Sequence, residues 1–133
     1  MTDTTTDTTT TDTHLATIDA YFAMLNETDD VARRELAARA WTEDGGYVDP
    51  LQQATGHDEL VAMAGGVHEQ FPGQTFRRTS GVDAHHGLVR FAWELAGDDA
   101  DVTVAGIDVG IIADDGRLSR IAGFFGPLPE LEA

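Results

Sequence analysis

The sequence predicts an α+β domain in which three N-terminal helices cover one face of a curved antiparallel sheet. Two observations carry this prediction. In the first half of the chain, apolar residues recur at helical spacing in three segments. In the second half, four segments alternate apolar and polar residues and are separated by Gly- and Asp-rich turns. At 133 residues the chain is one domain, long enough to bury a sizeable core.

The first thirteen residues, MTDTTTDTTTTDT, are of low complexity, and Met1 is their only large apolar group. Such a segment buries too little surface to offset its ordering entropy, so residues 1–13 are expected to be a disordered acidic tail and 14–133 the folded domain. Leu15, Ile18, Phe22 and Leu25 then mark a first helix, His14 to Asn26, with Tyr21 bordering the apolar stripe. Asn26 to Asp30 breaks the pattern, and Thr28 or Asp29 can cap a second helix running toward Trp41. Glu43 to Gly46 reads as a turn, and Gly46 to Asp49 as a short strand ended by Pro50.

Leu60, Ala64, Val67 and Phe71 define a third helix over Gly56 to Phe71, stopped by Pro72 and Gly73. Gly65 and Gly66 weaken it by about 1 kcal/mol each relative to Ala, so close packing against a sheet is expected there. The strands that follow are Thr75 to Val82, Leu88 to Leu95, Val102 to Ile112 and Leu118 to Phe125. Gly87, Gly97 to Asp101 and Asp114-Asp115-Gly116 supply the turns.

The formal charge is −16, and all eight basic residues are Arg. A surface of that sign repels nucleic acid and anionic membranes, so neither is expected as a partner. No apolar run approaches the roughly 18 residues of a membrane span. There is no Cys, which removes disulfides, thiolate metal sites and cysteine nucleophiles. The start lacks the features of a signal peptide, so a cytoplasmic location is expected. Nucleophilic triads, phosphate loops and nucleotide fingerprints are absent.

His85 and His86 are neighbours before Gly87 and point to opposite faces if extended, so no metal site is expected. His57 and His68 read as packing or capping residues and His14 as exposed.

Asp108 lies in the middle of VTVAGIDVGII, a segment that otherwise reads as a buried strand. Asp is depleted in strands, and a lone buried carboxylate is costly to desolvate. Strict alternation permits two outcomes. Asp108 faces water while Ile107 and Val109 face the core, or it lines a cavity on the same face as Gly106 and Gly110, whose missing side chains leave room for a ligand.

Phe91, Trp93 and Leu95 share one strand face, and Ile121, Gly123 and Phe125 alternate likewise on the last strand. These faces are core, and in a curved sheet they also line a pocket. Asp49 before Pro50 is biased to extended geometry; it is either a strand-end turn or a general base. Tyr21 is either a packed ring with a wet hydroxyl or a hydrogen-bond donor to a ligand.

The motifs AYFAMLN, YVDP, GHDELV, AGIDVGII and DGRLSRIAGFFG, in this order and spacing, resemble the nuclear-transport-factor-2-like (NTF2-like) superfamily. The likeness is to its branch of SnoaL-like polyketide cyclases and ketosteroid isomerases, and it covers His14 to Pro127. It implies a cone-shaped fold around an apolar pocket and a homodimer through the outer face of the sheet. It also implies cofactor-free proton transfer next to the carbonyl of a small apolar molecule.

In the ketosteroid isomerases a helix Tyr and a protonated Asp hold the developing oxyanion while a second Asp moves the proton. By resemblance these roles fall on Tyr21, Asp108 and Asp49, with Phe91, Trp93, Leu95, Ile121 and Phe125 lining the substrate pocket. The further tyrosines of some isomerases have no evident counterpart here, and no Arg is suitably placed for epoxide hydrolysis. In dehydratase members a His enters the pocket, which leaves His85 and His86 open. The alternative to catalysis is a module of the same fold that only binds a small apolar ligand.

Overall fold

The computed structural model describes residues 4–99 and 101–132, with side chains described from residue 13 onward. The helices are α1 (Thr4–Asn26), α2 (Asp30–Ala40) and α3 (His57–Gln70). The strands are β1 (Trp41–Val48), β2 (Gln53–Thr55), β3 (Thr75–Arg78), β4 (Asp83–His85), β5 (Leu88–Ala96), β6 (Val102–Ile112) and β7 (Leu118–Phe125). They form one curved, unclosed sheet in the order β2-β1-β7-β6-β5-β3, with β4 also paired to β5.

The helix α1 ends at Asn26 as its apolar spacing predicts, and it starts at Thr4, within the segment expected to be a tail. Met1 to Asp3 lie outside the described residues. Ile18, Tyr21, Met24 and Leu25 are buried along α1, and so is His14, against expectation. Asp29 caps α2 by accepting a hydrogen bond from Ala32 N at 2.9 Å. One turn on, the buried Arg33 donates from Nε and Nη2 to Glu27 O at 3.0 and 2.9 Å, tying α2 to the end of α1.

The two α3 glycines have separate reasons. A Cβ at Gly65 would stand 2.9 Å from Arg33 Nη1, so Gly65 gives space to that guanidinium and not to a sheet. A Cβ at Gly66 would meet nothing within 4 Å, because this position opens onto a cavity.

The sheet is antiparallel except where β1 runs parallel to β7, which makes it mixed. That pairing also explains why β1 begins at Trp41 and not at Gly46. Trp41 is opposite Leu118 and Gly46 opposite Arg120, so the expected turn at Glu43–Gly46 is a bulge inside a longer strand. Of the segment expected as one strand over Thr75 to Val82 only Thr75–Arg78 is strand, as β3, and the short β4 (Asp83–His85) begins just past its expected end. Between them Ser80 Oγ accepts from Ala92 N at 2.8 Å, taking the place of a ladder carbonyl. At the β3 edge, Asn26 donates from Nδ2 to Phe76 O at 2.8 Å and accepts from Phe76 N at 2.7 Å, as a neighbouring strand would.

The strands β6 and β7 have the predicted bounds. Alternation along β6 buries Gly106, Asp108 and Gly110 beneath the helices and turns Ile107, Val109 and Ile111 outward. The inward rows of β5, β6 and β7, together with α1 and α3, enclose the core and a cavity at its side. No helix among the described residues is long and apolar enough to cross a membrane.

Candidate active site

A cavity of about 430 Å³ lies between α1, α3 and the inner face of the sheet. Its wall is mostly apolar, formed among others by Phe22, Leu25, Met63, Phe71, Phe76 and Val104. Trp93, Leu95 and Phe125 line it, as do Tyr21, Tyr47, Asp49 and Asp108. Phe91 and Ile121, expected in the lining, are packed behind it. Phe91 lies opposite Asp108 on β5 and holds the rings of Tyr21 and Phe22 edge-to-face. Ile121 is opposite Gly110 and fills the space above that glycine, its Cδ1 only 2.8 Å from where a Cβ would be.

Asp108 is only 2% exposed. Its Oδ2 accepts from the Tyr21 hydroxyl at 2.8 Å, and its Oδ1 accepts from the Trp93 indole N–H at 3.0 Å. Burial pushes its carboxyl up to about 7, with the nearby charge of Asp49 adding to the rise and the two hydrogen bonds opposing it. Burial first, and then the Asp108 charge, raises Tyr21 well above the usual phenol range.

Trp93 is opposite Gly106, two residues from Asp108, and reaches the carboxyl along the diagonal. Gly106 makes this possible, since a Cβ there would be 2.8 Å from Trp93 Cζ2. The glycines beside Asp108 on β6 therefore make room for protein side chains and not for a ligand.

Asp49 sits just past β1 and is partly buried. Its Oδ2 accepts from the Tyr47 hydroxyl at 2.6 Å. Its Oδ1 accepts from the backbone N–H of Leu51 at 2.8 Å and of Gln52 at 3.0 Å, so the side chain is fixed by the turn that follows it. Leu51, 78% exposed, and Gln52 both border the cavity. The two carboxyl groups converge over Gly123, which lies opposite Asp108 on β7. A Cβ there would be 2.9 Å from Asp108 Oδ1, 3.3 Å from Tyr47 Oη and 3.4 Å from Asp49 Cβ.

Sequence reasoning passed over three polar lining residues, Gln52, Gln70 and Tyr47, of which Tyr47 bonds to a site carboxylate. The signal was present: Tyr47 and Asp49 stand two apart in an extended segment and so share a face. Burial, then the charge of Asp108 and the hydrogen bond to Asp49, raise its phenol.

No His, Lys or Arg lines the cavity among the described residues. His57 and His68 bond to the backbone oxygens of Trp41 and Leu25, at 3.0 and 2.8 Å. His85 borders a separate shallow depression with Asp83 and Arg90. No three His, Asp or Glu side chains converge as a metal set among the described residues.

Helices over a curved mixed sheet, with paired carboxyl groups at an apolar cavity, define a protein of the NTF2-like class. No protein-family model matches the sequence, and no curated protein matches it. Solved structures do. One, from Agrobacterium tumefaciens and provisionally named an isomerase of the SnoaL-like family, is 36% identical. The match covers 86% of this chain and 98% of that one, with a TM-score of 0.80. The chain belongs to the SnoaL-like family of the NTF2-like superfamily.

Two more distant likenesses show the fold alone. A provisional SnoaL-like polyketide cyclase from Jannaschia sp. is 16% identical, with 85% of each chain covered and a TM-score of 0.68. An NTF2-like protein of unknown function from Exiguobacterium sp. is 18% identical, with 84% of this chain and 99% of that one covered and a TM-score of 0.66.

Proposed function

We propose that this protein is a cofactor-free acid–base enzyme that moves a proton next to the carbonyl of a small, uncharged, apolar compound, isomerising or cyclising it. The observation that carries this reading is the buried Asp108 carboxyl, bonded to Tyr21 and facing the same cavity as Asp49. The provisional isomerase naming of the Agrobacterium relative supports it. Among the described residues the lining holds no cation to pair an anionic ligand, and its mostly apolar wall supports an uncharged one.

The base is Asp49 Oδ2. Its Oδ1 is occupied by two backbone N–H groups, whereas Oδ2 accepts only the Tyr47 hydroxyl among the described residues and keeps a lone pair. As Oδ2 takes the proton from carbon, the C–H electron pair forms the enol double bond and the carbonyl pair moves onto oxygen. That oxygen is met by the O–H that the hydrogen-bonded pair of Tyr21 and protonated Asp108 turns toward the cavity, which favours the charge more than water does. The Asp49 proton then returns to a different carbon, giving an isomer. Alternatively, the enol carbon attacks a second carbonyl and closes a ring.

The test is deuterium exchange into enolisable ketones such as 2-tetralone in D₂O, followed by proton NMR. The expected result is exchange that Asp49→Asn slows by about 100-fold or more. Saturable binding without exchange refutes the enzyme reading and leaves a non-catalytic module that binds a small apolar ligand.

We further propose a cytoplasmic homodimer joined through the outer sheet face. The exposed Ile107, Val109, Ile111 and Phe124 support that surface as an apolar interface.

A further inference from the structure

We propose that Trp93 is a positioning residue: its indole N–H keeps Asp108 Oδ1 as an acceptor, so the proton of the neutral carboxyl resides on Oδ2, beside Tyr21, and one O–H is turned toward the cavity. The inference concerns the site's ground state, and its use in catalysis rests on the function proposed above.

An indole N–H only donates, so the oxygen it touches at 3.0 Å has to accept. The other oxygen, 2.8 Å from the Tyr21 hydroxyl, is the place left for a proton. Two arrangements then follow. Oδ2–H donates to the Tyr21 oxygen and releases the Tyr21 hydrogen, or Tyr21 donates to Oδ2 and the carboxyl hydrogen is released. Each delivers one hydrogen to the same region of the cavity, which both residues line. Without the indole the proton can reside on Oδ1, on the side of the carboxyl away from Tyr21, and the O–H turned toward the cavity is lost.

The groups facing Asp108 are Tyr21 from α1, Tyr47 and Asp49 from β1 and its end, and Trp93 from β5. None is cationic, so the neutral donors alone order the carboxyl.

The experiment replaces both tryptophans with benzothienylalanine, in which sulfur takes the place of the indole N–H and shape is kept. The second tryptophan, Trp41, has a buried Nε1 with no hydrogen-bond partner among the described residues, so only the Trp93 bond is removed. The readout is a carboxyl-carbon NMR titration of Asp108 in the ligand-free protein. Loss of a donor to the ionised form should move its midpoint up by about one pH unit. An unchanged or lowered midpoint overturns the proposal, because a packing role alone leaves the titration in place.

A second measurement needs no substitution. In the wild-type protein the Trp93 indole proton resonance should shift with pH at the Asp108 midpoint. An indole proton that ignores that titration overturns the proposal equally. Binding of 2-naphthol should weaken by about fivefold in the substituted protein, and unchanged affinity counts against the positioning role. Absence of 2-naphthol binding in the wild type counts instead against the ligand reading of the cavity, and the two titrations still decide the role of Trp93.

Discussion

Replacing Asp108 with Asn should stabilise the protein in a way that depends on pH. The folded carboxyl is raised to about 7 from an ordinary value of 3.8, chiefly by burial. A raised carboxyl leaves stability untouched below the unfolded value. It then subtracts from stability as pH rises, because the unfolded chain ionises first, and the loss levels off above the folded value. The slope between the two is about 1.4 kcal/mol per pH unit. Over the interval of about three units the wild-type protein loses about 4 kcal/mol.

The asparagine of Asp108→Asn would not ionise, and its geometry suits the site: the carbonyl oxygen accepts from Trp93 and the amide donates to the Tyr21 oxygen. The assay is urea unfolding of both proteins from pH 4.5 to 8.5, where the other titrating groups cancel in the difference. The advantage of Asp108→Asn should be small at pH 4.5, grow through pH 7 and level near about 4 kcal/mol above pH 8. A difference that stays flat with pH would refute the reasoning, since it would mean that Asp108 ionises as easily folded as unfolded.

Gly123→Ala should destabilise by about 1–3 kcal/mol, because the new methyl crowds Asp108 Oδ1 at 2.9 Å. The Asp108 carboxyl-carbon resonance should shift with it, and an unaltered resonance would show that the cavity absorbs the methyl. Gly66→Leu should do the reverse, stabilising the fold by up to about 1 kcal/mol through helix propensity while filling the cavity mouth and weakening 2-naphthol binding. Calorimetry checks the affinity, and full-strength binding would place the ligand away from α3. Val109→Arg on the outer face should convert a dimer to a monomer in sedimentation without loss of helical circular dichroism. A variant that sediments like the wild type would move any interface elsewhere.

Much of the second half of the fold was legible in the sequence because its signals are local. Strands β6 and β7 alternate cleanly and meet at Asp114-Asp115-Gly116, so their bounds follow from the residues. The start of β1 was not legible: its partner β7 is more than seventy residues away, and the Gly45-Gly46 pair that reads as a turn is a bulge in a parallel ladder. The strand β2 has three residues, too few for a period to show.

At the site, the alternation of β6 offered two faces for Asp108 and could not choose between them. The choice is made by neighbours distant in sequence, since Tyr21 and Trp93 give the inward carboxyl its partners. By alternation Phe91 and Ile121 share a strand face with residues that line the pocket, which is why the sequence places them there. A shared face does not separate the residues under α1 from those beside the cavity; that depends on where the helix crosses the sheet.

The exchange between Asn26 and the Phe76 backbone has a consequence for how the molecule meets copies of itself. An unpaired edge strand is a template on which another chain can add a strand, and such addition repeats without limit. Here the amide of a helix residue occupies both outward groups of Phe76 on β3. The protein therefore carries a stopper at one of the two edges, β3, where strand addition could start. The dimer proposed through the broad face would differ in kind from such growth, because one pairing buries the surface and ends the process.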